Sequence, residues 1–303
     1  MTSKPVSAAL CALRNCPVCG ESSRKKLFPI KDSIVYQCAS CGLRYLDPCL
    51  STEAMESAYE SNESLTSVHG FHEGYYDYGD LQRESKTLAD FRKGLVLLEK
   101  NLPGKTREKR ILDVGFGNGF FLAAASQRGW KVRGIDTSPR NLEIARKKFS
   151  LELEQGSLET ISGGPEIHAI SFWDVIEHLP DPHRALQKAA RLLAPGGLLL
   201  IAVPNDGGLL NQISRFVYAA TGGVLKKGIE SIYLIEHVAY YDLKTLTRLA
   251  EMNGFARCNF FFTSTDLAKY RLSFIDRLAA QTLLTLGKLL ASQNRVVAVF
   301  RKS

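Results

Sequence analysis

The chain has 303 residues, of which 45% are apolar and 23% charged, and its formal net charge is +8. This composition is typical of folded globular proteins and excludes disorder over most of the length. The positive charge is compatible with an anionic substrate, a nucleic acid or a phospholipid surface, and it does not choose among them. The first apolar stretch, residues 6–13, is short and runs into a cysteine-rich segment, so it does not indicate a secretory signal. The sequence contains no apolar run of about 18 residues, the length that would predict a membrane-spanning helix. We therefore expect a cytoplasmic protein.

Four of the seven cysteines form two Cys-x-x-Cys pairs, Cys16/Cys19 and Cys38/Cys41, separated by residues 20–37. Two such pairs with a spacer of this length are typical of structural zinc sites. Four thiolates complete a closed tetrahedral shell, so we predict a structural Zn²⁺ in a zinc ribbon over residues 1–50. Iron in the same cage and two disulfides are the alternatives, and the remaining cysteines, 11, 49 and 258, are interpreted as neutral thiols.

From residue 106 onward, short apolar runs alternate with segments of helical spacing. The runs predict strands at residues 111–114, 131–136, 151–155, 169–173, 198–203, 257–263 and 295–301. The helices between them begin at typical capping sequences, such as Ser138-Pro139 and Asp181-Pro182. Such alternation predicts an α/β, Rossmann-like fold with a doubly wound, mostly parallel, seven-stranded sheet. Residues 51–105 link the ribbon to this domain of residues 106–303. They comprise a polar connector and a helix, which the apolar spacing predicts from residue 81 to about residue 102.

A glycine-rich loop follows the first predicted strand, with the spacing Asp113-x-Gly115-x-Gly117-x-Gly119. Glycines let the backbone turn sharply and approach a ligand, and the loop opens a helix whose first N–H groups are free. A dinucleotide fingerprint would need a further glycine where Phe120 stands. The spacing present is the one that methyltransferases use for S-adenosylmethionine, and Asp113 suits the ammonium group of that cofactor.

Asp136 ends the second predicted strand, 23 residues after Asp113. A carboxylate there can accept hydrogen bonds from two ribose hydroxyls. An aspartate after a strand is otherwise a common turn former. Because it follows the glycine loop at this interval, we interpret Asp136 as the ribose ligand, with Thr137 beside it.

Residues 106–303 resemble the class I S-adenosylmethionine-dependent methyltransferases, in particular the ubiquinone-biosynthesis O-methyltransferase type. Segments 111–119, 134–136, 174–182 and 193–197 carry the likeness. The resemblance implies a set of cofactor-binding residues: Asp113, Gly115, Gly117, Asn118, Gly119, Asp136, Thr137, Ser157, Leu158, Trp173 and Asp174. It places Ser157 and Leu158 at the adenine edge, and Trp173 and Asp174 at the methionine part. Many relatives have aspartate where Ser157 stands.

The N-terminal module resembles the zinc-binding region of many bacterial methyltransferases from envelope and sugar pathways. Residues 36–43 and 46–48 carry this likeness. It implies a module that either positions a substrate or caps the main domain.

Asp174, Glu177 and His178 stand at positions i, i+3 and i+4 after the fourth predicted strand, and His237 lies 59 residues beyond His178. Side chains at this spacing share one helical face. The pattern is similar to the magnesium site of small-RNA 2′-O-methyltransferases and of a metal-dependent subset of ubiquinone O-methyltransferases, with Asp174 in place of a glutamate. Two catalytic hypotheses follow: these four residues bind Mg²⁺ or Mn²⁺, or His178 or His237 acts as a metal-free base. Glu177 belongs to the candidate catalytic group, and purely structural roles are the third interpretation.

Residues 206–240 form an insertion after the fifth predicted strand, and residues 209–218 have the spacing of an amphipathic helix. We interpret the insertion as a lid over the substrate, packed on the core or also in contact with lipid as a peripheral membrane surface. The expected activity is O-methylation of a small-molecule, sugar or lipid-linked hydroxyl. Carbon, nitrogen or RNA 2′-oxygen acceptors are alternatives, although no RNA-binding domain is recognisable. The other class is a catalytically silent cofactor-binding partner that uses the ribbon for assembly.

Overall fold

A computed structural model gives the architecture of residues 10–13, 15–51, 54–55, 85–102, 108–163, 166–267 and 272–303. Most of the predicted connector, the start of the first predicted helix (81–84) and residues 268–271 lie outside the described residues. Within these ranges, no helix is both long enough and apolar enough to cross a membrane.

The N-terminal module is built from five short strands: β1 (Leu10–Cys11), β2 (Arg24–Ile30), β3 (Ser33–Cys38), β4 (Arg44–Asp47) and β5 (Cys49–Leu50). β2, β3 and β4 form an antiparallel sheet, and β1 pairs with β5. Each Cys-x-x-Cys pair forms a tight turn, in which the N–H of the residue after the second cysteine donates to the carbonyl of the first. The N–O distances are 2.9 Å for Gly20 to Cys16 and 3.1 Å for Gly42 to Cys38.

Eight further strands and eight helices follow in the described chain. The strands are β6 (Lys109–Val114), β7 (Trp130–Asp136), β8 (Glu152–Gln155), β9 (Ile167–Trp173), β10 (Leu193–Pro204), β11 (Ala239–Tyr240), β12 (Phe255–Thr263) and β13 (Arg295–Lys302). The helices of four or more residues are α1 (Lys86–Asn101), α2 (Phe120–Gln127), α3 (Pro139–Lys148), α4 (Pro182–Leu192), α5 (Leu209–Ala220), α6 (Lys227–Ile232), α7 (Leu243–Met252) and α8 (Phe274–Leu289). Helix α1 begins later than its spacing predicts, because the Ser85 hydroxyl caps it by accepting from Leu88 N–H.

The main sheet has seven strands in the order β12-β13-β10-β9-β6-β7-β8. Only β13 runs antiparallel to its neighbours. The predicted α/β fold with a mostly parallel seven-stranded sheet is therefore confirmed. Strand β10 begins five residues earlier than expected, at Leu193, because Leu193 pairs with Ile167 before an irregularity that ends at Leu198. The strand order reverses between β6 and β9, and ligands bind at the carboxyl ends of strands at such a switch point.

The small sheet extends into the main part of the molecule. β11, from the second half of the chain, pairs with β4 and places Ala239 opposite Tyr45. The result is one four-stranded sheet in the order β11-β4-β3-β2. The cysteine module also shares its core with the main sheet, since Val18 and Leu43 pack in the same buried cluster as Phe172 and Ile201.

A buried carboxylate, Asp206, links the cysteine module to the predicted lid. Its Oδ2 lies 2.5 Å from Arg44 Nη1 on β4, and its Oδ1 lies 2.8 Å from Arg215 Nη1 on α5. The Tyr233 hydroxyl donates to Oδ1 at 2.6 Å, and the Asn211 side-chain amide does so at 3.3 Å. The paired charges and hydrogen bonds offset the cost of burying Asp206, so the module and the lid are held at one point.

We expect Arg44→Gln to lower the free energy of unfolding by about 1–3 kcal/mol, because it removes a charged partner from a buried carboxylate. The matched control is Arg24→Gln, which breaks a pair of similar exposure, Arg24–Asp47, inside the module. Hydrogen exchange of the lid amides (206–240) should accelerate in the Arg44 variant and not in the Arg24 variant. Equal protection of the lid in both variants would contradict this linkage.

Candidate functional site

The glycine loop lies at the carboxyl end of β6, where the strand order reverses. Gly115 and Gly117 have φ values of 70° and 54°, in the left-handed region that favours glycine. A Cβ atom on Gly115 would lie 2.5 Å from Val175 Cγ2, whereas one on Gly117 would meet no atom within 4 Å. The loop therefore packs closely on one side and opens into a cavity on the other. Gly119 does not line this cavity. A Cβ atom on Gly119 would lie 3.1 Å from the Cβ atom of Ala145 on α3.

The Asp136 carboxylate braces the glycine loop. It accepts hydrogen bonds from Gly117 N–H and Ser138 N–H, both at 2.9 Å, and from the Asn141 side-chain amide at 3.3 Å. Burial raises the pKa of Asp136, and these donors act against that shift. The sequence identified Asp136 by its position after β7. It did not identify Asn141, whose role depends on how α3 packs.

Asp113 is buried beneath the loop and receives one side-chain hydrogen bond, from the Ser171 hydroxyl at 2.6 Å. Burial raises the pKa of Asp113 to about 8; the Ser171 hydrogen bond lowers it and the charge of Asp136 adds to the rise. A cationic ligand would relieve this desolvation, because an opposite charge favours the ionised carboxylate.

The loops after β6, β7, β8 and β9 enclose one cavity of about 1350 Å³. Apart from Gly119, every predicted cofactor-binding residue lines it: Asp113, Gly115, Gly117, Asn118, Asp136, Thr137, Ser157, Leu158, Trp173 and Asp174. Trp173 packs edge-on against Phe91 of α1, with ring centroids 4.7 Å apart. Its buried Nε1 has no hydrogen-bond partner in the described part of the chain. The site thus offers an unused donor, a glycine cradle and two buried carboxylates, which fits a ligand with amino-acid and ribose parts.

Asp174 is not among the residues whose ligand atoms meet in the predicted metal-binding group. Its φ of 55° turns the chain at the end of β9, and its carboxylate pairs with Arg295 Nη2 at 2.7 Å. Arg295 comes from β13, 121 positions along the chain, so this partner was not visible in the local pattern.

Glu177, His178 and His237 form a compact cluster at the edge of the cavity. Each offers one ligand atom, and these atoms lie within 4.8 Å of one another. Glu177 and His178 stand on a single 3₁₀ turn (Ile176–His178), and the two imidazole rings meet edge to face with centroids 4.7 Å apart. The structure therefore brings together three of the four residues predicted for the second metal site.

Hydrogen bonds and burial define the chemical state of this cluster. His178 Nδ1 lies 2.9 Å from the Glu236 carbonyl oxygen, which can only accept, so Nδ1 carries the hydrogen. Burial lowers the pKa of His178, which leaves Nε2 with a lone pair. Glu177 is 1% exposed, and neither carboxylate oxygen has a hydrogen-bond partner within the described residues. Its pKa is raised by burial and by the charge of Asp174. Two imidazoles and one carboxylate can hold a divalent cation or accept a proton.

The four cysteines of the N-terminal module also meet. Their sulfur atoms lie within 4.8 Å of one another, with Cys16 and Cys41 at 3.6 Å and Cys19 and Cys38 at 3.4 Å. A disulfide would need about 2.05 Å, whereas a tetrahedral site with zinc–sulfur bonds of about 2.3 Å needs a sulfur–sulfur distance near 3.8 Å. All seven cysteines are free thiols, so the alternative of two disulfides is not observed. The cluster is compatible with zinc.

A family model described as a methyltransferase domain matches residues 85–257, more than half of the chain. The ubiquinone biosynthesis O-methyltransferase of Alkalilimnicola ehrlichii is 34% identical over 134 residues, which cover 42% of this chain and 54% of that protein. The protein of the same name from Pseudomonas fluorescens is 26% identical over 65% of this chain and 83% of its own length. The chain spans about half the length of the first of these relatives.

A solved structure supports the fold. The 1,6-didemethyltoxoflavin-N1-methyltransferase of Burkholderia thailandensis, with bound 1,6-didemethyltoxoflavin and S-adenosylhomocysteine, has a TM-score of 0.50 and 15% identity. The superposition covers 88% of this chain and 96% of that chain. At this identity the likeness concerns the fold alone.

We expect Asp113→Asn to stabilise the free protein increasingly as the pH rises. The folded pKa of about 8 lies above the ordinary value of 3.8, so the wild type loses stability between these values, with a limiting slope of about 1.4 kcal/mol per pH unit. Urea denaturation at several pH values measures the difference between variant and wild type. The control is Glu143→Gln, on the exposed face of α3. Above about pH 5, its free energy of unfolding should differ from that of the wild type by an amount that does not depend on pH. A pH-independent effect of Asp113→Asn would contradict the raised pKa.

Proposed function

Because the chain belongs to the S-adenosylmethionine-dependent methyltransferase family, we propose that it transfers the cofactor's methyl group to a hydroxyl oxygen of a small-molecule acceptor. One observation carries this proposal: the Glu177/His178/His237 cluster lines the same cavity as the glycine loop. A proton-accepting or cation-binding group beside a methyl donor suits a hydroxyl, which must lose its proton during the reaction. The relatives named as O-methyltransferases support this choice of acceptor atom.

The loops after β6, β7 and β8 would hold the cofactor. The open side of Gly117 leaves room for the amino-acid part, next to the buried Asp113 carboxylate. Asp136 uses its oxygens on the loop and on α3, and its remaining acceptor capacity would serve the ribose. Ser157 and Leu158, after β8, would border the adenine.

Methyl transfer forms a bond between the acceptor oxygen and the methyl carbon while the carbon–sulfur bond breaks. The sulfonium becomes a neutral thioether, and the proton of the hydroxyl leaves. The task of this chain is to align the oxygen with the methyl group and to accept or displace that proton. His178, through Nε2, and His237 are the proposed acceptors of this proton.

We propose further that Glu177, His178 and His237 bind a divalent cation. A buried carboxylate without hydrogen-bond partners is costly, and a cation would offset that cost. Two nitrogen ligands and one oxygen ligand suit Mn²⁺ better than Mg²⁺, which prefers oxygen. When bound, such an ion lowers the pKa of an acceptor hydroxyl. Asp174 is not part of this proposed set, since it pairs with Arg295.

The acceptor is proposed to have an apolar body. Beyond the cluster, the cavity continues between the lid and α8 and is lined there by Leu210, Ile232, Leu234, Leu283 and Leu284. The lid and α8 also line the cavity with polar side chains, among them Asn211, Ser214, Lys227 and Asp276. A wall that combines apolar and polar side chains favours a ligand with a polar end and an apolar remainder. A lipid-linked acceptor fits this description better than a free sugar.

Transfer of a labelled methyl group to a panel of hydroxyl compounds tests the function, and Mn²⁺ calorimetry tests the cluster. Glu177→Gln and His237→Ala should each abolish Mn²⁺ binding and reduce turnover by roughly 100-fold or more, with cofactor affinity unchanged. The control His168→Ala changes a histidine at the other end of β9 and should affect neither measurement.

Full activity of a His178→Ala/His237→Ala double variant would exclude a catalytic role for the cluster. Loss of activity in that variant, together with no Mn²⁺ binding by the wild type, would instead assign a histidine as a metal-free base. Cofactor binding without transfer to any acceptor would favour the catalytically silent partner.

We also propose that Cys16, Cys19, Cys38 and Cys41 hold one structural Zn²⁺. Elemental analysis should find one zinc per chain in the wild type. Cys38→Ser should lower both the zinc content and the melting temperature, because a structural zinc contributes directly to folding. The control Cys258→Ser, on β12 and distant from the cluster in sequence, should leave the zinc content unchanged. A wild type that is equally stable without metal would contradict the proposal.

A further inference from the structure

Large apolar side chains are exposed on two neighbouring elements, the lid and α8. Nine of the eleven exposed large apolar residues of the described chain lie there: Phe216, Val224, Leu225, Phe274, Ile275, Leu278, Leu286, Leu289 and Leu290. Phe274 is 80% exposed, and Ile275 and Leu289 are each 77% exposed. We call these nine residues the outer apolar surface. Soluble proteins rarely expose so many large apolar groups together, and such patches mark interaction sites.

Direct contacts join the two elements that carry this surface. The N–H of Leu209, the first residue of α5, donates to the Ser292 carbonyl just beyond α8 at 2.8 Å. At the other end, Lys227 Nζ lies 2.8 Å from Asp276 in the first turn of α8. Leu225 and Phe274 each stand two positions from this ion pair. The lid and α8 therefore present their apolar residues as parts of one surface.

Helix α8 has two apolar faces with different roles. Ala279, Ala280, Leu283 and Leu284 line the cavity. The residues of α8 in the outer apolar surface fall within one arc of about 160° on the helix, which contains no charged residue. Thr282 and Thr285 also lie in this arc, and so does Ala279, next to its border with the cavity face. Arg277 and Lys288 stand on one flank of the arc, and Asp276, which pairs with Lys227, stands on the other. An uncharged apolar arc with a basic flank is typical of helices that lie in a membrane interface.

We propose that the outer apolar surface docks on a lipid bilayer that contains anionic lipids, with α8 and the end of the lid lying in the interfacial plane. Charge decides between a bilayer and a second copy of the chain. At a net charge of +8, two copies repel each other, whereas an anionic bilayer attracts the chain. Lys226 and Lys227, which pair with Glu230 and Asp276, extend the border beside Leu225. The cavity then opens close to the bilayer, because α8 and the lid line both the cavity and the docking surface.

Vesicle flotation with the full chain tests this inference, with phosphatidylcholine vesicles compared with mixed phosphatidylcholine–phosphatidylglycerol vesicles. The wild type should float with the mixed vesicles, and added salt should weaken the binding. The triple variant Phe274→Ser/Ile275→Ser/Leu278→Ser should bind roughly tenfold more weakly or worse, because it removes apolar area from the interface. A second variant, Leu289→Ser/Leu290→Ser, tests the other end of α8.

The matched control is Met252→Ser/Phe260→Ser, which changes the two exposed large apolar residues outside the surface; it should bind vesicles like the wild type. Cofactor affinity and melting temperature establish that each variant is folded. The inference is overturned if the wild type floats with neither vesicle, or if both α8 variants float as well as the wild type. It is also overturned if light scattering shows a dimer that the triple variant dissociates, since a second copy would then cover this surface.

Discussion

The backbone N–H and carbonyl of Val238 are both engaged, and their two hydrogen bonds connect the Glu177/His178/His237 cluster to the cysteine module. Its N–H donates to the Glu177 carbonyl at 2.8 Å, and its carbonyl accepts from Leu46 N–H on β4 at 2.9 Å. Val238 follows His237 directly, so the position of this histidine beside Glu177 depends on where β4 lies. The geometry of β4 in turn depends on the Cys38–Cys41 turn, which ends β3 and precedes β4. The cysteine module thereby helps to set the position of His237.

Three of the buried carboxylates of the described chain, Asp206, Asp113 and Glu177, are compensated to different degrees. Asp206 is surrounded by two guanidinium groups and a hydroxyl, so it acts as an internal connection. Asp113 has one hydroxyl donor and a raised pKa, so its burial is only partly compensated within the described chain. Glu177 has no hydrogen-bond partner for its carboxylate in the described chain. The number of hydrogen-bond and ion-pair partners thus decreases from Asp206 to Asp113 to Glu177. Strongly perturbed buried groups of this kind are concentrated at functional sites.

Sequence patterns predicted the features that depend on residues close together in the chain. The alternation of strands and helices, the glycine spacing and the position of Asp136 all lie within short segments, and the structure contains each of them. The Asp174–Arg295 and Arg44–Asp206 pairs join residues 121 and 162 positions apart, and no local pattern identifies such partners. The boundary at residue 50 was predicted from a change of composition along the sequence. The shared core of Val18 and Phe172 joins residues on both sides of that boundary, and no local pattern identifies this contact.

The pairing of β4 with β11 also has a consequence for the order of folding. Tyr45 and Ala239 face each other across 194 positions of sequence. During synthesis from the N-terminus, β4 emerges long before its partner, and contacts of such separation form late because a long loop must close first. The cysteine turns are local and can form early, yet one edge of their sheet stays exposed until the main domain is almost complete. An exposed strand edge is a template for wrong pairing, so this chain contains an early segment whose open edge waits for most of the protein to be made.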